Sequence, residues 1–166
     1  MAESCDSADW GARLSLEAEI TAVIEALEAA WKAHNFAAIK ALWDTDDLQP
    51  VYIAEEAEKA FTSWAEIDRY WSHTASVLAR VSHRTTSRVI KAASPDIAIV
   101  LYDMYWSAEV APSGIFGGDM MAGDNRVNIM LGRKPEGWSI FQYVEAPVAG
   151  TVPMSQAMRA LVDADF

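Results

Sequence analysis

The chain has 166 residues, enough for one domain with a sizeable core, and its 52% hydrophobic and 22% charged residues are an ordinary globular balance. Its formal charge of −11, from 24 acidic and 13 basic residues, lacks the basic footprint that nucleic acid or an anionic membrane requires. With Cys5 as the single cysteine, no internal disulfide and no cysteine metal cluster can form.

The opening MAESCDSADWG has neither the basic start nor the apolar core of a secretory signal. No run approaches the roughly 18 uninterrupted apolar residues of a membrane span, so a reducing cytoplasm is the expected location. Residues 1–14 are polar and acidic and are expected to be a flexible segment. Leu16, Ile20, Val23, Ile24, Leu27, Ala30 and Trp31 then recur at three and four, the period of a helix, with Glu17, Glu19, Glu25 and Glu28 mostly on the other face. Asn35 suits a break and N-cap for a second short helix carrying Phe36, Ile39 and Trp43. Val51-Tyr52-Ile53 reads as a short strand that pairs with another around Lys59 to Thr62. Ser63 and Glu66 form a capping box for a third helix with Trp64, Ile67, Trp71, Ala75 and Leu78 on one face.

The period then changes. Val81–Ala92, Ile97–Val110, Met120–Arg133 and Trp138–Glu145 read as strands joined by short Gly- and Pro-containing turns, an antiparallel meander. Met154, Met158, Leu161 and Val162 suit a short amphipathic helix that covers a cavity mouth or a neighbouring subunit. The expected fold class is α+β, with helices first and then a curved sheet around an apolar pocket. The domain occupies residues 15–146 and a C-terminal extension occupies 147–166.

This element order resembles the NTF2-like superfamily, in particular its SnoaL-like branch. Three patches carry the likeness: Asn35-Phe36 after the first helix, Ser82-His83-Arg84-Thr85 at the start of the first long strand, and Gly137-Trp138-Ser139-Ile140 opening the last. The resemblance implies a cone, a bent sheet wrapped around helices with a deep pocket between. It also implies an activity drawn from cofactor-free dehydratases, lyases, isomerases and cyclases, or a non-catalytic binding role. The family's last strand often carries histidine where this chain has Gln142 and Val144. Gln49 and Pro50 stand where its isomerases place an acidic base, which weighs against a ketosteroid-isomerase mechanism.

Alternation on Ile97–Val110 puts Ile99, Leu101, Asp103, Tyr105 and Ser107 on one face and Val100, Tyr102, Met104, Trp106 and Ala108 on the other. If the cone turns the Ile99 face inward, Asp103 lies in the pocket beside Leu101 and Tyr105, where desolvation would raise its pKa and suit it to acid–base work. The alternative is an Asp103 that faces solvent or an interface and pairs with an arginine. The Tyr102, Met104 and Trp106 face is then too apolar to stay exposed and is expected to join a homo-oligomer.

The resemblance to the family's dehydratases makes His83 a second acid–base candidate. Tyr52 and Tyr105 would place hydroxyl or phenol groups, and Arg126, Asn128 and Gln142 would orient polar parts of a substrate. Trp71 would stack on an aromatic ring. No Walker loop, GxGxxG or GxSxG elbow appears, and the three scattered histidines lack metal-ligand spacing, so no cofactor or metal is expected. The reading is a cofactor-independent lyase or dehydratase of a hydrophobic aromatic small molecule, with His83, Asp103, Tyr52 and Tyr105 at its centre. By resemblance, the substrate is a lignin-derived diarylpropane diol that loses water and formaldehyde. The alternatives are an isomerase or cyclase of polyketide-like or steroid-like substrates, and a non-catalytic ligand-binding module.

Overall fold

The computed structural model describes residues 7–112 and 117–148. Helix α1 (Ser7–Lys32) is followed by α2 (Phe36–Ala41), strand β1 (Val51–Ile53), α3 (Trp64–Val77) and four long strands. These are β2 (Leu78–Ser94), β3 (Ile97–Val110), β4 (Met120–Lys134) and β5 (Gly137–Pro147). No described helix is long and apolar enough to cross a membrane. The C-terminal helix expected around Met154–Val162 and the middle of the β3–β4 turn lie outside the described residues.

Helix α1 begins well before residue 15, so part of the segment expected to be loose is helical. Its first turns are supported on the exposed side by Arg13–Glu17 and Ser15–Glu19 contacts at i,i+4. Ile20, Ile24, Leu27 and Trp31 form its buried stripe. The helix stops in a Schellman motif: Asn35 N–H donates to the Ala30 carbonyl and His34 N–H to Trp31, both at 2.9 Å. His34 takes the left-handed position, φ 53°, that glycine usually fills. Asn35 then caps α2, its Oδ1 accepting from Ala38 N–H at 3.0 Å.

In α3 the Ser63 cap is present, with Glu66 reaching back to Thr62 N–H at 3.1 Å. The buried residues are Ile67, Trp71 and Thr74. Thr74 replaces Ala75 on the inner face, and Leu78 already belongs to β2, because the chain changes from helix to strand without an intervening loop.

The sheet order is β1-β5-β4-β3-β2, antiparallel from β2 to β5, with β1 parallel to β5 at one edge. The short pairing expected near Lys59–Thr62 is one bridge, between Tyr52 and Phe61. The helices pack on one face of the sheet and build the core there. On β3 that inner face is Ala98, Val100, Tyr102, Met104 and Ala108, all buried. Tyr102 and Met104 are therefore interior groups and cannot form a contact between subunits. The opposite face carries Leu101, Asp103 and Tyr105 to the outside.

Strand β5 contains a feature that decides the site. Leu131 pairs with Ile140 and Met130 with Gln142, so Phe141 is an extra residue in a bulge. Alternation resets across it. Trp138 and Ile140 point inward before the bulge, and Tyr143 is buried after it, leaving Gln142 and Val144 on the outer face.

Candidate functional site

A cavity of about 630 Å³ lies between α1, α3, the turn after β1 and the inner faces of β2, β3 and β5. Tyr52, Val81, Met104 and Ala108 line its buried depth, and the more exposed Glu56, His73, Val77 and Met121 stand around its mouth. A pocket of this size and apolar character fits a small organic molecule. Trp106, also on the wall, needs the glycine opposite it: a Cβ on Gly123 would come within 2.9 Å of the indole Nε1.

His83 projects from β2 into this space, with its ring 4.8 Å from that of Trp31. Burial pulls its pKa down to about 4, so the imidazole is neutral at pH 7. Beside it, Glu28 of α1 accepts the Thr85 backbone N–H at 2.6 Å and ties the helix to the strand. On the opposite wall stands Glu145 of β5, turned inward by the bulge. Tyr143 Oη donates to its Oε1 at 2.6 Å, and Asn125 Nδ2 to its Oε2 at 3.4 Å. Burial raises the Glu145 carboxyl to about 7 against the Tyr143 hydrogen bond, and the charges of Glu55 and Glu56 raise it further. Burial also raises Glu55, opposed by the Asn125 amide and aided by Glu56. Glu56 accepts Tyr70 Oη at 2.7 Å.

Behind Glu145, Tyr52 stacks on Tyr143 at 5.2 Å and 10° between planes. Burial raises the phenols of Tyr52, Tyr143 and Tyr102 well above their ordinary range. They stay protonated, and Tyr143 donates to Glu145. A neutral imidazole and a carboxyl raised toward neutrality thus line one largely apolar chamber, groups of the kind that move protons in acid–base chemistry.

Of the residues expected from sequence, the structure brings His83 and Tyr52 to this cavity. Asp103 is not there. It lies exposed on the outer face, accepts Ser87 Oγ at 2.7 Å and sits 3.8 Å from Arg126 Nε. Arg126 and Leu101 share that outer face, and Tyr105 lies there under the Arg84 guanidinium. Asn128 and Gln142 are on it too, joined by a 3.3 Å hydrogen bond, with Asn128 also reaching the Val100 carbonyl. Trp71 is buried behind the cavity wall, edge-on to Tyr52. The cause of these corrections is parity. The uniformly apolar row of β3 faces the helices, and the bulge in β5 exchanges Gln142 for Glu145. The alternation of β3 was readable as the longer apolar row. The bulge had no residue signal in β5, since Phe141 is neither glycine nor proline.

Residues 20–149 match the SnoaL-like domain. The chain belongs to the SnoaL-like domain family. No curated protein sequence matches it. Among solved structures, the fold is similar to a candidate scytalone dehydratase from Novosphingobium aromaticivorans, with a TM-score of 0.72, 9% identity and coverage of 84% of this chain and 88% of the other. It is similar to an NTF2-like superfamily protein from Salmonella enterica serovar Typhimurium, with a TM-score of 0.70, 16% identity and coverage of 84% and 95%. Hexachlorocyclohexane dehydrochlorinase LinA-type3 from Novosphingobium barchaimii gives 0.66, 10% identity and coverage of 83% and 90%. This SnoaL-like chain therefore has the NTF2-like cone, and its pocket is the one the cone encloses.

Proposed function

We propose that this protein is a cofactor-independent lyase or dehydratase that acts in the cytoplasm on a hydrophobic aromatic small molecule bound in the cavity. The observation that carries the reading is the pairing of a neutral His83 with a Glu145 carboxyl raised to about 7 inside one aromatic-lined chamber. Glu145, when protonated, serves as the acid that protonates a departing hydroxyl. His83 serves as the base. Tyr143 and Asn125 hold the carboxyl in place, and Tyr52 supports Tyr143 by stacking.

For a diarylpropane diol with a para-phenol, the steps balance without any redox partner. Protonation by Glu145 lets the benzylic hydroxyl leave as water while the para-phenol gives up its proton to water and its oxygen electrons form a quinone methide. His83 then removes the proton of the terminal hydroxyl, and the adjacent carbon–carbon bond breaks to release formaldehyde. The electron pair of that bond restores the aromatic ring and leaves a stilbene. Purified protein given such a diol is expected to release formaldehyde and stilbene in equal amounts. Absence of both, with the protein folded, would remove this substrate. Absence of turnover across benzylic alcohols generally would remove the lyase reading.

We propose that the self-association expected from sequence uses the outer face of the sheet. There Val89 pairs with Leu101, and the two are 64% and 49% exposed. Light scattering at micromolar concentration is expected to give a dimer or larger species that Leu101→Glu dissociates. A monomeric mass for the parent protein would contradict it.

A further inference from the structure

Trp106 is part of the cavity wall and sits between two neighbours on the inner face of the sheet. It pairs across the ladder with His83 of β2 on one side and with Gly123 of β4 on the other. The indole leans toward β4 and lies over Gly123, where a Cβ would meet Nε1 at 2.9 Å, Cε2 at 3.0 Å and Cζ2 at 3.1 Å. A side chain at 123 would push the nitrogen edge of the ring aside, so the glycine fixes where the N–H lies. That N–H is buried and has no hydrogen-bond partner. The indoles of Trp64 and Trp138 differ: they donate to the Asp47 carbonyl at 3.1 Å and to Glu19 at 2.8 Å. An unpaired buried donor costs stability, and a phenyl ring would fill an apolar wall without that cost. Burial raises the Glu55 carboxyl, and the Asn125 amide and the Trp106 N–H oppose the rise, so the carboxyl lies near the indole without hydrogen-bonding to it. Glu55 is on the turn after β1, outside any helix or strand, so its side chain can give way to an incoming oxygen.

We propose that the Trp106 indole N–H is a recognition donor for an uncharged hydroxyl oxygen carried on an aromatic ligand. The aromatic body lies against the apolar depth of Val81, Met104 and Ala108. The hydroxyl is uncharged because Glu55, Glu56 and Glu145 share the wall and, among the described residues, no lysine or arginine lines the cavity to offset an anion. Directly opposed residues on one face of a sheet have Cβ atoms about 4.5–5.5 Å apart, so His83 is the indole's immediate neighbour on the wall. In the proposed reaction the oxygen is one of the two hydroxyls of the diol. The subsite rests on the cavity being the ligand site of the proposed function, but not on its being catalytic.

The test uses two neutral probes, 1-naphthylmethanol and 1-ethylnaphthalene, which differ by a hydroxyl in place of a methyl. Binding is followed in a proton–nitrogen correlation spectrum of the tryptophan side chains, where the signal missing from Trp106→Phe identifies the Trp106 N–H. In the parent protein that signal is expected to move downfield with the alcohol and much less with the hydrocarbon. Trp106→Phe is expected to weaken the alcohol about fivefold, the worth of one neutral hydrogen bond, and to leave the hydrocarbon within about twofold. A ring that only packs would change both affinities alike or neither, and either result overturns the donor role. A signal that moves equally with the two probes overturns it as well and leaves the cavity as the ligand site. Failure of both probes to bind overturns the subsite together with the cavity reading. The expected shift and affinities without turnover of any benzylic alcohol support the subsite and remove only the lyase reading.

Discussion

The two faces of the same sheet hold similar residue types and have opposite chemistry. Outside, Asp103 sits by Arg126 and Ser87 in contact with solvent, where water screens its charge. Inside, Glu145 has no arginine partner among the described residues, is held by Tyr143 and Asn125, and is raised to about 7 by burial. Carboxylates of the two kinds differ by one step of strand alternation. A carboxyl gains catalytic character from desolvation and from neighbouring charge of the same sign, and both are properties of the face.

The largest expected effect comes from exchanging the two carboxyls in turn. Glu145→Gln and His83→Phe are each expected to lower kcat/KM on a benzylic alcohol substrate by about 10²- to 10³-fold, the span of a lost acid or base. Asp103→Asn should change it less than about twofold. Equal losses at Glu145 and Asp103 would erase the distinction between the faces.

Stability against pH sharpens the same contrast. Glu145 has a folded pKa raised from 4.5 to about 7, so the folded state holds its proton more tightly. Its contribution is complete below about pH 4.5 and is lost as pH rises through 7, a span worth roughly 3 kcal/mol at most. His83 has the opposite sign. Its folded value is depressed from 6.5 to about 4, so stability is lost as pH falls through that window. Urea unfolding at pH 5 and pH 8 should therefore show Glu145→Gln gaining on the parent protein at the higher pH. Parallel curves would contradict it.

Glycines on the two faces should respond differently too. Gly123→Ala drives a methyl into the Trp106 indole on the inner face and is expected to cost about 1–3 kcal/mol. Gly132→Ala meets only Phe141 at 3.7 Å on the outer face, and is expected to stabilise the strand by about 0.5 kcal/mol. Denaturant midpoints report both. The smallest effect belongs to the outer ion pair: Arg126→Ala should leave the midpoint unchanged within error, because the pair is open to solvent.

Much of the architecture was legible because it follows from periodicity. The apolar spacing of Leu16 to Trp31 set the buried stripe of α1, Ser63 and Glu66 marked the start of α3, and the limits of β3 coincide with its β-rich run. Asn35 was legible as the break after α1, but His34 was not legible as the left-handed residue of a Schellman motif, a place where sequence leads one to expect glycine. The site was only half legible. His83 and Tyr52, singled out from sequence, line the cavity, while Glu145 read as nothing more than the end of a strand. Its inward aim depends on one extra residue opposite Met130 and Leu131, a relation between two strands that no single-strand pattern carries. Asp103 was the reverse case, an acidic residue in an apolar run, whose face was set by the larger apolar row of its own strand.

The most direct test of the central claim is a carboxyl-carbon NMR titration of the ligand-free protein, with Glu145→Gln used to assign the signal. The account predicts one glutamate carboxyl with a midpoint near 7 that disappears in the variant. If every carboxyl titrates below about 5, Glu145 is an ordinary solvated carboxylate. The inner face would then hold no acid fit for the proposed chemistry.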